Sequence, residues 1–162
     1  PTRRSSDLLA LLKGLTASEL QEFAREFTQQ YLFRKKVFPK TQRKLLDAVQ
    51  LGEIVVLASA GIKPVISAIA DEFGVQFVCS ELGFDEQGLC TGKLVRDLTG
   101  NKLSALGPWI QEKPHITVMS DNFSDKNLFD KAHRKIVVIN KPKDLEFWHK
   151  MPAEYLLLYS KD

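Results

Sequence analysis

The sequence has few of the features that mark secreted, membrane-spanning or metal-thiolate proteins. It contains only two cysteines, Cys79 and Cys90, in 162 residues. Their spacing matches neither a disulfide framework nor a zinc motif, so both are expected to be reduced thiols. The longest apolar runs, such as residues 54–60, have the length of strands rather than of bilayer spans, and no signal-peptide pattern opens the chain. These absences favour a cytoplasmic protein without a membrane span.

The sequence also lacks a strong excess of either charge. The formal net charge is +3, which offers little support for nucleic-acid binding. One local basic cluster is present, and a solvated helix face is its first interpretation. The alternative is electrostatic steering of an anionic substrate. The cluster consists of Arg34, Lys35, Lys36, Lys40, Arg43 and Lys44.

Length and composition fit one globular domain with a proper core, since 44% of the residues are hydrophobic and 27% are charged. Residues 1–8, PTRRSSDL, resemble the translation of a sequencing adapter and are interpreted as a scar to be left out of fold reasoning. Together with the missing initiator Met, this suggests that the chain is a gene fragment.

Residues 9–50 are predicted to be helical. Thr16 and Glu19 have the spacing of a capping box, and proline at position 39 suits the first turn of a second helix that stops at Gly52. Apolar residues recur at helical spacing in the first of these helices and are predicted to pack in the core. They are Leu20, Phe23, Phe27 and Tyr31.

After Gly52 the pattern changes to alternating strands and helices. Strands are predicted at 53–59, 75–79, 115–119 and 135–139, helices at 63–73, 101–111, 125–133 and 144–150, and a hairpin at 82–92 turning near Gln87 and Gly88. Strands separated by helices imply right-handed crossovers. The predicted fold class is therefore α/β, with a Rossmann-like parallel sheet and helices on both faces.

The most informative stretch is 116–125, ITVMSDNFSD, where a short apolar run is followed by Asp121 and Asp125. Ligands of open α/β sheets bind beyond the carboxyl ends of the strands, and carboxylate oxygens are ligands that Mg²⁺ prefers. The pattern predicts a magnesium site. The alternative is a polar turn in which Asp125 caps a helix.

Two further positions point to phosphate. Ser59 and Ala60 follow an apolar strand, where a hydroxyl and the amides at a helix start can face an anion, although serine there is also a common turn former. Lys102 lies at a predicted helix start, where a cation opposes the helix dipole. Phosphate neutralisation would explain it, with surface solvation as the alternative. Hydroxyl, lysine and paired aspartates together indicate phosphoryl transfer.

With these residues in place, the chain resembles the haloacid dehalogenase superfamily of phosphohydrolases, in its phosphoserine-phosphatase-like branch, over about residues 15–141. Ser59 matches the second motif of the family, Lys102 the third, and Asp121 with Asp125 the acidic fourth. The resemblance implies a helical cap segment at 9–50 and an α/β core at 51–162. The cap would select the substrate, expected to be a small phosphorylated molecule.

The resemblance also implies a mechanism. An aspartate attacks phosphorus to form an aspartyl-phosphate, which water then hydrolyses. Ser59 would bind the phosphoryl oxygens, Lys102 would hold the phosphate, Asp121 would ligate Mg²⁺, and Asp125 would support the metal shell.

One departure from the family pattern is as informative as the matches. The first motif, an apolar strand followed by Asp-x-Asp, occurs nowhere in the sequence. The resemblance places that strand in the centre of the sheet, between those predicted at 53–59 and 115–119. The chain is thus expected to be an inactive fragment of a phosphatase. A non-catalytic phosphate-binding relative is the alternative, while a receiver-like or nucleotide-binding module fits less well because no Gly-rich phosphate loop follows a strand.

Overall fold

Helices and strands alternate along the chain as the sequence pattern indicated. The computed structural model describes residues 5–32, 39–111, 113 and 115–159. The α-helices are α1 (Ser5–Ala10), α2 (Ala17–Phe27), α3 (Pro39–Gln50), α4 (Lys63–Phe73), α5 (Lys102–Ala105), α6 (Gly107–Ile110), α7 (Lys126–Phe129) and α8 (Leu145–Trp148). The strands are β1 (Val56–Ile62), β2 (Gln76–Phe84), β3 (Cys90–Arg96), β4 (Thr117–Ser120), β5 (Arg134–Ile139) and β6 (Glu154–Leu157).

The strands form two three-stranded sheets flanked by helices, which confirms the predicted α/β class. In the first sheet β1 and β2 are parallel, and β3 adds an antiparallel strand. In the second sheet β4, β5 and β6 are all parallel. The hairpin between β2 and β3 turns at Gly88, whose φ of 76° suits glycine.

Two parallel edges are open. Within the part of the chain that the structure describes, β1 pairs only with β2, and β4 pairs only with β5. The family resemblance would place an additional central strand between these two edges. Such an edge presents backbone N–H and C=O groups that can pair with a further strand.

The first long helix, α2, confirms the predicted capping box but corrects the predicted core stripe. The Thr16 hydroxyl accepts from the Glu19 amide at 3.3 Å, and the Glu19 carboxylate accepts from the Thr16 amide at 2.8 Å. Leu20 is buried, yet Phe23 and Phe27 are 56% and 49% exposed. The Tyr31 side chain lies outside the described residues.

Helix α4 accounts for this difference. It packs against α2, whose buried residues are Leu20 and Ala24, one helical turn apart on a single line. Phe23 and Phe27 lie beside that line, on a flank of α2 that is partly exposed. The hydrophobic periodicity therefore predicted the helix correctly, but the predicted buried face of α2 was wider than the observed one.

Several element boundaries also differ from those predicted. The helix predicted at 101–111 is divided into α5 and α6, with Pro108 in the first turn of α6. The helices predicted at 125–133 and 144–150 each open with a 3₁₀ turn and end early. Strand β6 was not predicted, because a four-residue apolar run has little periodicity of its own and depends on pairing with β5.

Each sheet has its own hydrophobic cluster. Buried Phe129, Val137, Ile139 and Trp148 pack around the second sheet, whereas Leu20, Leu82 and Cys90 pack beside the first. Both cysteines are buried free thiols, as expected. In the described ranges no helix is long and apolar enough to cross a bilayer.

The cap-like helices lie against the first sheet. Helix α1 contacts β3 and α2 contacts α4. Helix α1 starts at Ser5, within the stretch interpreted as a scar, and the first four residues lie outside the described ranges. The division of the chain into scar, cap at 9–50 and core at 51–162 stays a prediction.

Candidate functional site

A tight loop follows β4 and returns Asp125 toward the end of the strand. Its backbone is held by Asn122, whose side-chain oxygen accepts from the Ser124 amide at 3.0 Å and whose carbonyl accepts from the Asp125 amide at 3.0 Å. The Asn122 amide in turn donates to the Ser120 hydroxyl at 3.1 Å. The loop is thereby held by its own polar groups, and the Phe123 ring adds a contact with Trp148.

Asp125 is the buried acid of this loop, with 5% of its surface exposed. Its Oδ2 accepts from the Ser120 hydroxyl at 2.7 Å and from Lys102 Nζ at 2.8 Å. Although Asp125 precedes α7, its side chain makes no capping hydrogen bond there. The alternative prediction of a simple helix cap is therefore wrong, and the structure brings Lys102 against the acidic motif.

The position of Lys102 has a clear electrostatic reason. It begins α5, a place where the helix dipole disfavours a cation, but α5 has only one turn and contacts both β1 and α7. Its side chain is 16% exposed, and its ammonium group pairs with Asp125. A largely buried ion pair of this kind needs both partners, since either charge alone would be costly there.

Asp121 is the exposed acid of the loop. Its Oδ2 accepts from Nδ2 of Asn140 at 2.8 Å. The sequence reasoning missed both Asn140 and Ser120. A usable signal existed for Asn140, because it directly follows the apolar strand β5 as Asp121 follows β4, and the carboxyl ends of neighbouring parallel strands meet at one edge.

Ser59 is placed differently from the prediction. Strand β1 does not end there but continues to Ile62, with an irregular register against β2 after Ser59. The Ser59 hydroxyl accepts from the Gly61 amide at 3.0 Å, a contact typical of a local turn. Within the described residues no hydrogen bond joins Ser59 to Lys102, Asp121 or Asp125.

Ala60 likewise does not lie at a helix start. It is inside β1, three residues before α4 begins at Lys63, and its carbonyl accepts from the Ser80 hydroxyl at 3.0 Å. The prediction that the strand ends at Ser59 is wrong, because pairing with β2 extends it past the serine to Ile62, whereas α4 begins at Lys63 as predicted. The phosphate-binding role of Ser59 and Ala60 stays a prediction.

The two carboxylates have the donor chemistry that Mg²⁺ uses. Each has one oxygen engaged, and neither Oδ1 has a hydrogen-bond partner in the described ranges. No group of three or more His, Cys, Asp or Glu side chains suited to a metal occurs among the residues described. Mg²⁺ sites in phosphate-handling proteins need only one or two carboxylates, with water and phosphate oxygens completing the shell. Asp121 and Asp125 therefore fit this ion.

Part of the basic cluster has a structural role that the sequence did not predict. Lys40, Arg43 and Lys44 line a cavity of about 330 Å³ between α3 and β6. Lys44 pairs with Glu154 at 2.8 Å, and Lys40 donates to the Leu157 carbonyl at 3.1 Å. Two of these cations thus bind the helix to the sheet. The other members, at positions 34–36, lie outside the described residues.

The titration of Glu154 reflects this arrangement. Hydrogen bonds from Lys44 and then Arg134 lower the pKa of its carboxyl group below the usual value. Arg134 lies on β5, so Glu154 connects three elements through charge.

Comparison with known proteins agrees with this architecture. A family model described as haloacid dehalogenase-like hydrolase matches residues 3–130. No curated protein sequence matches the chain. A protein of unknown function from Bordetella pertussis Tohama I is similar in structure, with a TM-score of 0.80 and 19% identity over 96% of this chain and 73% of its own.

Two further solved structures have names that describe an activity. A substrate-bound phosphoserine phosphatase has a TM-score of 0.61 and 18% identity over 97% of this chain and 71% of its own. Cytosolic 5′-nucleotidase IIIB bound to cytidine has a TM-score of 0.63 and 19% identity over 94% of this chain and 57% of its own. At these identities the likeness concerns the fold.

Proposed function

This chain belongs to the haloacid dehalogenase-like hydrolase family, and we propose that it forms most of a Mg²⁺-dependent phosphomonoester hydrolase. The observation that carries the proposal is the Lys102–Asp125 pair beside Asp121 at the carboxyl end of β4. A cation and two hard-oxygen acids at the end of a parallel strand suit a transferring phosphoryl group and its metal.

In this proposal the role of each charged residue follows from the sign of its charge. Lys102 neutralises the phosphoryl oxygens, while Asp121 and Asp125 hold Mg²⁺. When bound, the metal supplies Lewis-acid stabilisation of the negative charge that develops on phosphorus oxygens. Ser59 contributes a hydroxyl hydrogen bond to the phosphate, which its contact with the Gly61 amide permits because the hydroxyl oxygen accepts there and its proton stays available to donate.

The attacking aspartate is not among these 162 residues, since no Asp-x-Asp follows a strand. We infer that it belongs to a strand seated between β1 and β4 and that the chain without it does not turn over substrate. The two open parallel edges support this inference, because one extended strand could pair with both. The expected substrate is a small phosphorylated molecule.

A non-catalytic phosphate-binding relative is the second candidate. The absence of Asp-x-Asp favours it directly, because without a nucleophile the remaining residues can bind phosphate but cannot form the aspartyl-phosphate. The two candidates make opposite predictions for the chain extended by its upstream sequence.

The test is therefore an assay of the extended protein. The source gene is cloned with its upstream codons, and phosphate release from p-nitrophenyl phosphate is measured with and without Mg²⁺. Activity that depends on an upstream aspartate supports the hydrolase. An in-frame start codon directly upstream with no Asp-x-Asp supports the phosphate-binding relative.

Two variants of the extended protein probe the assigned residues. Asp121→Asn and Lys102→Ala are each expected to lower kcat/KM by about 100- to 1,000-fold, the usual loss for one preorganised electrostatic contact. Lys131→Ala is the matched control, because Lys131 is exposed and its side chain makes no hydrogen bond in the described ranges. Full activity in both Asp121→Asn and Lys102→Ala would refute the assignment.

A further inference from the structure

We propose that Asn140 makes the acidic site select Mg²⁺ over Ca²⁺ by occupying one of the two oxygens of Asp121. The proposal rests on the function proposed above and names a residue that the motif pattern does not include. It concerns selectivity between two ions, which is a separate property from the capacity to bind either.

The geometry places an amide against the exposed acid. Nδ2 of Asn140 lies 2.8 Å from Oδ2 of Asp121. Asn140 follows β5 directly and Asp121 follows β4 directly, and these two strands are hydrogen-bonded neighbours in a parallel register. The contact is thus built on the ends of two paired strands rather than on a loose loop.

The buried acid is held in the same manner. Oδ2 of Asp125 already accepts hydrogen bonds from Ser120 and Lys102. Among the residues described, Oδ1 of Asp121 and Oδ1 of Asp125 are without protein donors. Each carboxylate therefore keeps one oxygen engaged with the protein, and its other oxygen is left without a donor in the described residues.

This arrangement distinguishes the two ions by their coordination habits. Ca²⁺ accepts six to eight oxygens and commonly takes both oxygens of a carboxylate, whereas Mg²⁺ requires a small octahedral shell that it fills with water and single carboxylate oxygens. A site whose acids each present one oxygen provides too few protein ligands for Ca²⁺. Freeing Oδ2 of Asp121 would remove that restriction.

Residue 140 is the better place for the test because Asn140 and Asp121 are both exposed. Asn140→Leu keeps a similar side-chain size and removes the donor. Asn127→Ala is the matched control, since Asn127 is an exposed asparagine on α7 without a hydrogen bond in the described part of the chain. Asn140→Ala serves as a second variant should the leucine impair folding.

The measurement is competition of Mg²⁺ and of Ca²⁺ against protein-bound Mn²⁺, followed by electron paramagnetic resonance of free Mn²⁺. Outer-shell partners typically change metal affinity by about 10- to 100-fold, so Asn140→Leu is expected to lower the Mg²⁺ preference, the ratio of Ca²⁺ to Mg²⁺ dissociation constants, at least about tenfold. Asn127→Ala is expected to leave that ratio unchanged.

Four outcomes can overturn the proposal. An unchanged ratio in both Asn140 variants, or an equal loss of both ions, would show that Asn140 only supports the local structure, and the proposed function would stand. If Mn²⁺ binding is absent, or is not weakened by Asp121→Asn, the metal site of the proposed function fails together with this inference.

Discussion

Lys102 Nζ lies 2.8 Å from Oδ2 of Asp125, and the two side chains are only 16% and 7% exposed. This contact joins the helix beside β1 to the loop after β4, and so connects residues associated with different sheets. It brings together two groups that are 23 positions apart in the sequence.

Removing the cation should destabilise the protein strongly. Lys102→Met leaves Asp125 charged and buried with only Ser120 as a donor, and breaking a buried pair typically costs about 3–5 kcal/mol. The free energy of unfolding, measured with urea, is expected to fall by about that amount. The double variant Lys102→Met/Asp125→Leu should recover much of the loss because no unpaired charge remains, and a double variant as unstable as the single one would contradict this account.

The hydroxyl of Ser120 should also contribute measurably. It donates to a buried carboxylate at 2.7 Å, and hydrogen bonds to charged groups are worth about 1.5–3 kcal/mol. Ser120→Ala is expected to lower the free energy of unfolding within that range. Ser124→Ala is the control, because only the backbone amide of Ser124 makes a hydrogen bond in the structure described. Equal effects of the two variants would argue against the role of Ser120.

Glu154 should make stability depend on pH in the acid range. Hydrogen bonds from Lys44 and Arg134 lower its pKa from 4.5, so its contribution is fully present above about pH 4.5 and is lost as the pH falls through the lowered folded-state value. The difference in melting temperature between the wild type and Glu154→Gln should shrink below that pH. The Glu154 side chain is 39% exposed, so its ion pair with Lys44 should contribute about 0.2–1 kcal/mol to the free energy of unfolding at neutral pH. A difference that grows on acidification would contradict the sign.

Alanine substitutions at two glycines can distinguish the effect of backbone strain from that of steric contact. Gly88 and Gly92 have φ of 76° and 72°, so alanine is strained at either. A Cβ at Gly88 would meet nothing within 4 Å, but at Gly92 it would lie 3.1 Å from the Leu9 carbonyl oxygen and 3.2 Å from Cα of Ala10. Gly92→Ala should therefore cost more than Gly88→Ala, and the difference in their melting temperatures measures the close approach of α1. Equal melting temperatures would indicate that α1 does not press on β3.

The two thiols should be protected in the folded protein. Burial raises the pKa of Cys79, with the nearby Glu81 charge adding to the effect, and both cysteines are buried. Labelling with 5,5′-dithiobis(2-nitrobenzoic acid) is expected to be slow in buffer and rapid in urea, because the thiolate is the reactive form. Rapid reaction of either thiol without denaturant would show local opening of the β2–β3 region.

Much of the fold could be predicted from local patterns. The capping box of α2, the Pro39 start of α3, the limits of α4 and the hairpin turn at Gly88 all depend on neighbouring residues, and each is confirmed. The width of the buried face of α2 and the presence of short elements were harder to predict from local patterns. Phe23 and Phe27 satisfy the helical period but are about half exposed, and β6 exists because β5 is available for pairing.

In the candidate site, too, some features could be predicted from the sequence and others depended on tertiary contacts. Residue types and their order in the sequence indicated Lys102, Asp121 and Asp125, because a hydroxyl, a lysine and paired aspartates in that order are more specific together than any one of them alone. Asn140 had a signal in its place directly after β5, but its contact with Asp121 and the role of Ser120 were not accessible, since a hydrogen-bond partner is determined by which strand ends are neighbours. The continuation of β1 through Ala60 likewise depends on β2.

The sequence by itself therefore determined the α/β class, the family resemblance and the charged residues of the site, because each follows from patterns within a few residues or from residue order. Only the tertiary structure decided that Lys102 pairs with Asp125, that each acid keeps one oxygen engaged, and that β1 and β4 present open edges. The physical reason is that hydrogen bonds and ion pairs act over about 3 Å, and the chain brings such atoms together only when distant elements pack.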